Sequence, residues 1–138
     1  MQYCDMDTKV TIINLSTGYQ SVVIQGTHAV ITDEPIAAGG TDLGLSPVEL
    51  LLGALGTCKV STMRYLARKN SWDVGNIEAR LTQSHIRKNG KTHSKVSSYF
   101  LIEGSLSEMQ KNDLLRYAEN CHIVRLIRGE WDFESFLE

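Results

Sequence analysis

A chain of 138 residues, 42% of them hydrophobic, suffices for one globular core, so a single domain over 1–138 is expected and a second independent one is not. A formal net charge of −2 excludes a general attraction to nucleic acid or to an anionic membrane surface, and no apolar run approaches spanning length. Cys4, Cys58 and Cys121 are too widely spaced for a disulfide framework, and Asp5, Asp7 and Lys9 stand where a secretory leader would be apolar; a cytoplasmic setting with reduced thiols is expected.

From Lys9 to Ile31 the sequence is rich in β-branched residues and punctuated by Gly18 and Gly26, which predicts two or three strands joined by turns. Thr32 to Leu45 holds Pro35, Gly39, Gly40 and Gly44 and reads as a loop. It lacks the GxxxxGK[ST] pattern of a phosphate cradle. Ser46-Pro47-Val48-Glu49 then opens a helix with a Ser cap, Pro at the first position and Glu three residues after the cap. The LLLGALGTC segment that follows is apolar on nearly every side, which predicts burial all round, and polarity returns at Lys59, Arg64, Arg68 and Lys69. Gly53 and Gly56 each cost about 1 kcal/mol relative to Ala inside a helix, so another backbone, of a neighbouring helix, is expected to approach there.

After Asn70, Val74, Ile77, Ala79 and Leu81 alternate with polar residues, and Asn89-Gly90 separates them from a second strand over about 95–103, forming a long hairpin. The basic run Arg87, Lys88, Lys91 and Lys95 surrounds that turn and reads as a solvated tip. Helical spacing resumes from Ser105 to Asn120, and Ile123, Val124, Leu126 and Ile127 predict a further turn or two. Trp131, Phe133 and Ser135 alternate with acidic residues, which predicts a closing strand. The order βββ, α, ββ, α, β predicts an α+β fold with helices packed on antiparallel sheet.

Cys58 shares one helix face with Leu51, Leu55, Thr62 and Leu66 and therefore faces other protein. A buried free cysteine packs as a small hydrophobe, so a packing role stands beside a redox one. If the helix continues through Cys121, Arg125 and Arg128 share its face, and a nearby cation stabilises a thiolate. His122 reads as a polar cap or a base. Neither cysteine belongs to a CxxC or CxxxH cluster, so no metal or cofactor is expected, and His28, His85 and His93 read as structural.

Residues 46–58, SPVELLLGALGTC, resemble the SPxELLLxALGxC helix of the OsmC/Ohr family, and Asn120-Cys121-His122-Ile123-Val124-Arg125 is similar to its second cysteine motif, CPVxR. The separation of the two cysteines and the order of elements are similar as well. The resemblance implies an intertwined homodimer, with two central helices per subunit flanked by antiparallel β-sheets. It also implies thiol-dependent reduction of organic hydroperoxides: Cys58 attacks, Cys121 resolves, Arg125 stabilises a thiolate, and an external dithiol regenerates the pair. Two positions depart from the peroxidase pattern. Val48 stands where those members carry a catalytic Glu, and no Arg precedes Arg64. The alternative implied is a member of the same fold without peroxidase activity, binding a small apolar ligand or acting as a thiol switch.

Overall fold

The computed structural model describes residues 7–138, so Cys4 lies outside the described residues. They group into two compact units, one through Gly53 and one from Ala54.

In the first unit the β-branched segments form an antiparallel meander, β1 (Thr11–Asn14), β2 (Ser21–Gln25) and β3 (His28–Thr32), in the order β1-β2-β3. Its tight turns take Gly18 and Gly26 at positive φ, as the sequence predicts. The following loop, interrupted by a 3₁₀ turn at Ile36–Ala38, is organised by the buried carboxylate of Asp33. Asp33 accepts from the Thr41 hydroxyl and from the backbone N–H groups of Glu34 (2.7 Å), Leu43 (3.1 Å) and Thr41 (3.3 Å). The Thr41 hydroxyl, acting against burial and aided by those N–H donors, holds its carboxyl below the ordinary value of 3.8. This contribution to stability is present above that value and disappears as pH falls through the lower folded one. Amide protection at Thr41 and Leu43 is therefore expected to fall as pH is lowered from about 7 through the acid range below 3.8, and Asp33→Asn should show low protection at every pH.

Helix α1 (Pro47–Lys69) begins where its sequence signals place it. Ser46 N–H donates to Glu49 Oε2 at 2.7 Å and Glu49 N–H to Ser46 Oγ at 3.4 Å, the two arms of a capping box. The Ser46 backbone N–H and then its hydroxyl keep the Glu49 carboxyl low, so this residue acts as a cap. The expectation that the apolar start of α1 is buried all round is not met: Val48 is 51% and Leu51 53% exposed. Leu50 and Leu52 are half-buried, and full burial begins only at Leu55.

In the second unit, β4 (Ile77–Lys88) and β5 (Lys91–Ile102) pair antiparallel from Ile77↔Ile102 to Lys88↔Lys91. Asn89 and Gly90 both adopt positive φ, the requirement of a two-residue hairpin turn. The second strand starts four residues earlier than the alternation suggests. Helix α2 (Glu108–Glu119) opens on a second capping box, Ser107 with Gln110, and α3 (His122–Arg128) follows after a break. Met63, Leu66 and Ala67 of α1 pack with Val74 and with Leu114 and Ala118 of α2, under Ile77, Phe100 and Ile102 of the hairpin. Among the described residues, three α-helices and two antiparallel sheets make the α+β fold that the element order predicts.

Two further expectations change. The close neighbour of Gly56 is a side chain of the sheet: a Cβ there would meet Leu81 Cδ1 at 3.0 Å, whereas among the described residues nothing lies within 4 Å of one at Gly53. Gly56 thus admits Leu81 onto α1. The closing strand is also absent, since a strand requires a ladder partner and none pairs with residues 130–138 among the described residues. Trp131 and Phe133 instead stack with centroids 6.0 Å apart, and Trp131 Nε1 donates to Leu126 O at 2.9 Å.

Candidate functional site

The i, i+4 rows of α1 carry Cys58 into the second unit's interior, beside Leu55. There both thiols meet: Leu55, Cys58, Cys121 and Val124 form one buried cluster, closed by Leu81 and Ile123. Cys58 and Cys121 are both free and buried. The sequence places these cysteines 63 residues apart, and folding brings them together.

The condition that placed Arg125 and Arg128 on the face of Cys121 fails, because α2 does not run on into α3. Asn120 ends α2 at φ −114 and ψ 27, and Cys121, at φ −62 and ψ 158, is the extended N-cap of α3. Its carbonyl accepts the first bond of the new helix, from Arg125 N–H at 3.1 Å. Cys121 is thus a cap and not an interior helical residue, and the Arg125 side chain is exposed. The break turns the second residue of α3 toward the first thiol: Ile123 N–H donates to Cys58 Sγ at 3.5 Å.

The cation beside the pair is Lys59. Its ammonium, only 4% exposed, donates to Ala118 O at 3.3 Å and to Glu119 Oε1 at 3.1 Å. Burial pushes the Cys121 thiol up from its ordinary value of 9.0. The Val124 N–H and the Lys59 charge oppose that shift, while Cys58, as hydrogen-bond partner and as charge, reinforces it. The proton is thus held on Cys121. An array of a buried dithiol, an N–H donor at one sulfur and an ammonium near the other suits exchange between thiol, sulfenic acid and disulfide.

Sequence reasoning passed over Lys59 as the point where polarity returns to the helix. The signal was available: Lys59 is four residues after Leu55 and four before Met63, a charge in an otherwise buried row. The Ile123 N–H had no such signal, since it depends on the break. Among the described residues, no group of three or more His, Cys, Asp or Glu side chains is placed to hold a metal ion, and no helix is long and apolar enough to cross a membrane.

The family model described as OsmC-like protein matches residues 39–135. No curated protein matches the chain. Among solved structures, an OsmC-like protein from Mycoplasma pneumoniae superposes with a TM-score of 0.75 at 16% identity, over 91% of this chain and 90% of that one. An organic hydroperoxide resistance protein, OsmC, from Legionella pneumophila gives 0.67 at 19% identity, over 92% and 93%. The organic hydroperoxide resistance protein OhrB of Bacillus subtilis gives 0.62 at 20% identity, over 90% and 92%. At these identities the likeness is one of fold.

Proposed function

The chain belongs to the OsmC-like protein family, and from that premise we propose that it reduces organic hydroperoxides with Cys58 and Cys121. The Cys58 thiolate attacks the O–O bond; an S–O bond forms, the alkoxide leaves and takes up a proton to become the alcohol. Cys121 sulfur then attacks the Cys58 sulfenic acid, the S–S bond forms, and hydroxide departs with the Cys121 proton as water. Two electrons pass from the dithiol to the peroxide. An external dithiol returns them by exchange at the disulfide.

The observation that carries the reading is the meeting of both thiols in one buried cluster, with an N–H donor on the sulfur of Cys58. Arg125, one turn into α3, stays in the proposal as a second cation acting on the thiolate. Two of the fold neighbours are named organic hydroperoxide resistance proteins, which agrees with it. The exposed apolar turn of α1 and the exposed Phe133, Phe136 and Leu137 are surface that a second copy would cover, so the working form is proposed to be a homodimer. Sedimentation at micromolar protomer is expected to show a dimer, and a stable folded monomer would count against it.

Treatment with one equivalent of cumene hydroperoxide is expected to lower the mass by about 2 Da and to yield one cross-linked peptide joining Cys58 and Cys121. Unchanged free thiols after that treatment would sink the peroxidase reading. Val48 at the position of the family's catalytic Glu favours the second reading, a thiol switch or apolar-ligand protein in which this disulfide forms only with strong oxidants.

A further inference from the structure

Lys59 is a buried cation with a specific berth. Removing an ammonium from water is costly unless it is paired and hydrogen-bonded, and here its partners lie at the end of α2. The carbonyl of Ala118 accepts from Lys59 Nζ at 3.3 Å and also from Cys121 N–H at 3.3 Å and from Asn120 N–H. A positive group on the last carbonyls of a helix is favourably placed against the helix dipole. The consequence concerns the thiols: Lys59 is one peptide unit from Cys58, and the oxygen that it grips also holds the amide of Cys121. The Ala118 carbonyl therefore joins the residue that follows Cys58 to the amide of Cys121.

We infer that Lys59 is a positioning residue of the thiol pair: docked on the end of α2, it fixes where Cys121 stands against Cys58 and presents a positive charge to the Cys121 sulfur. The inference rests on the thiol-pair reading above and deepens it by assigning the group that readies the second thiol. In the closing step, Cys121 sulfur attacks the sulfenic sulfur while the S–O bond breaks, and negative charge on Cys121 is what the ammonium stabilises. Cys121 packs with Cys58 from α1 and the uncharged Leu81 from β4; Lys59 of α1 acts on it while paired with Glu119 of α2, and His122 and Arg125 of α3 are the ionisable residues that follow it in the chain. Glu119 partly offsets Lys59, but its side chain is 62% exposed and water screens it, whereas the ammonium is enclosed.

The test is a thiolate titration in a Cys4→Ser/Cys58→Ser background, where Cys121 is the one remaining thiol, followed by absorbance at about 240 nm against pH. Lys59→Met, which keeps the length and removes the charge, is expected to raise the midpoint by about one pH unit or more. Glu119→Gln should lower it, because the ammonium then acts unopposed, and Lys59→Arg should stay close to the parent. Arg125→Gln should move it less than Lys59→Met. With all cysteines present, Lys59→Met should slow disulfide closure more than it slows peroxide consumption. Midpoints unchanged in both Lys59→Met and Glu119→Gln would overturn the inference. If Lys59→Met does not fold, Glu119→Gln, altered at an exposed side chain, decides alone. The titration reports on Lys59 whether or not the protein consumes peroxide, so shifted midpoints without peroxide consumption count only against the peroxidase reading.

Discussion

Cys58→Ser is expected to reduce peroxide consumption to the uncatalysed rate, whereas Cys121→Ser is expected to react once and then over-oxidise at Cys58. The asymmetry follows from what each sulfur does. A serine hydroxyl at position 58 is not ionised near neutral pH and is a poor nucleophile toward an O–O bond, so no sulfenic acid forms. Without Cys121 the sulfenic acid does form, but its intended partner is missing, and further peroxide takes it to the sulfinic and sulfonic acids. Mass spectrometry should show additions of two or three oxygens on the peptide holding Cys58. The environment gives the assignment its direction: Ile123 N–H donates to Cys58, while burial and Cys58 itself keep the proton on Cys121. Cys121→Ser inert and Cys58→Ser active would reverse the two roles. Equal, slow consumption by both variants and the parent would end the peroxidase reading.

How much of this was readable in the sequence depended on the range of the interaction. The start of α1 and the hairpin turn rest on local chemistry, a capping box within four residues and two adjacent residues at positive φ, and both stand where the sequence puts them. The closing strand and the burial of the first turns of α1 depend on what lies opposite, and periodicity cannot name a partner. Gly56 shows the same limit: its small size announced a close neighbour, but only the fold says that the neighbour is Leu81. The thiol pair was visible as two motifs and a resemblance. Its electrostatics were not, because the break at Asn120 and Cys121 makes the second cysteine a cap, and the buried charge beside it is Lys59.

Because the carbonyl shared by Lys59 and Cys121 belongs to α2, the thiol pair is expected to depend on a core contact more than a helical turn away. Leu114 is wholly buried against Met63, Leu66 and Ala67, and it fixes α2 to α1. Leu114→Ala is expected to cost about 2–5 kcal/mol, the range for emptying a fully enclosed aliphatic site that collapses only in part. Denaturant unfolding at fixed protomer concentration measures it, since association shifts apparent stability. Leu115, the next residue, is 44% exposed and supplies the comparison. Its replacement by Ala should cost under about 1 kcal/mol, because much of its surface already meets water. A cost at Leu115 equal to that at Leu114 would show that a second copy covers this side of α2. Looser docking of α2 also moves the carbonyl of Ala118, and with it the anchor shared by Lys59 and Cys121. Leu114→Ala should therefore slow Cys58–Cys121 disulfide closure under conditions where the protein remains folded, while Leu115→Ala leaves it unchanged. Closure at the parent rate in folded Leu114→Ala would show that the thiols are held in place without the α1 to α2 contact.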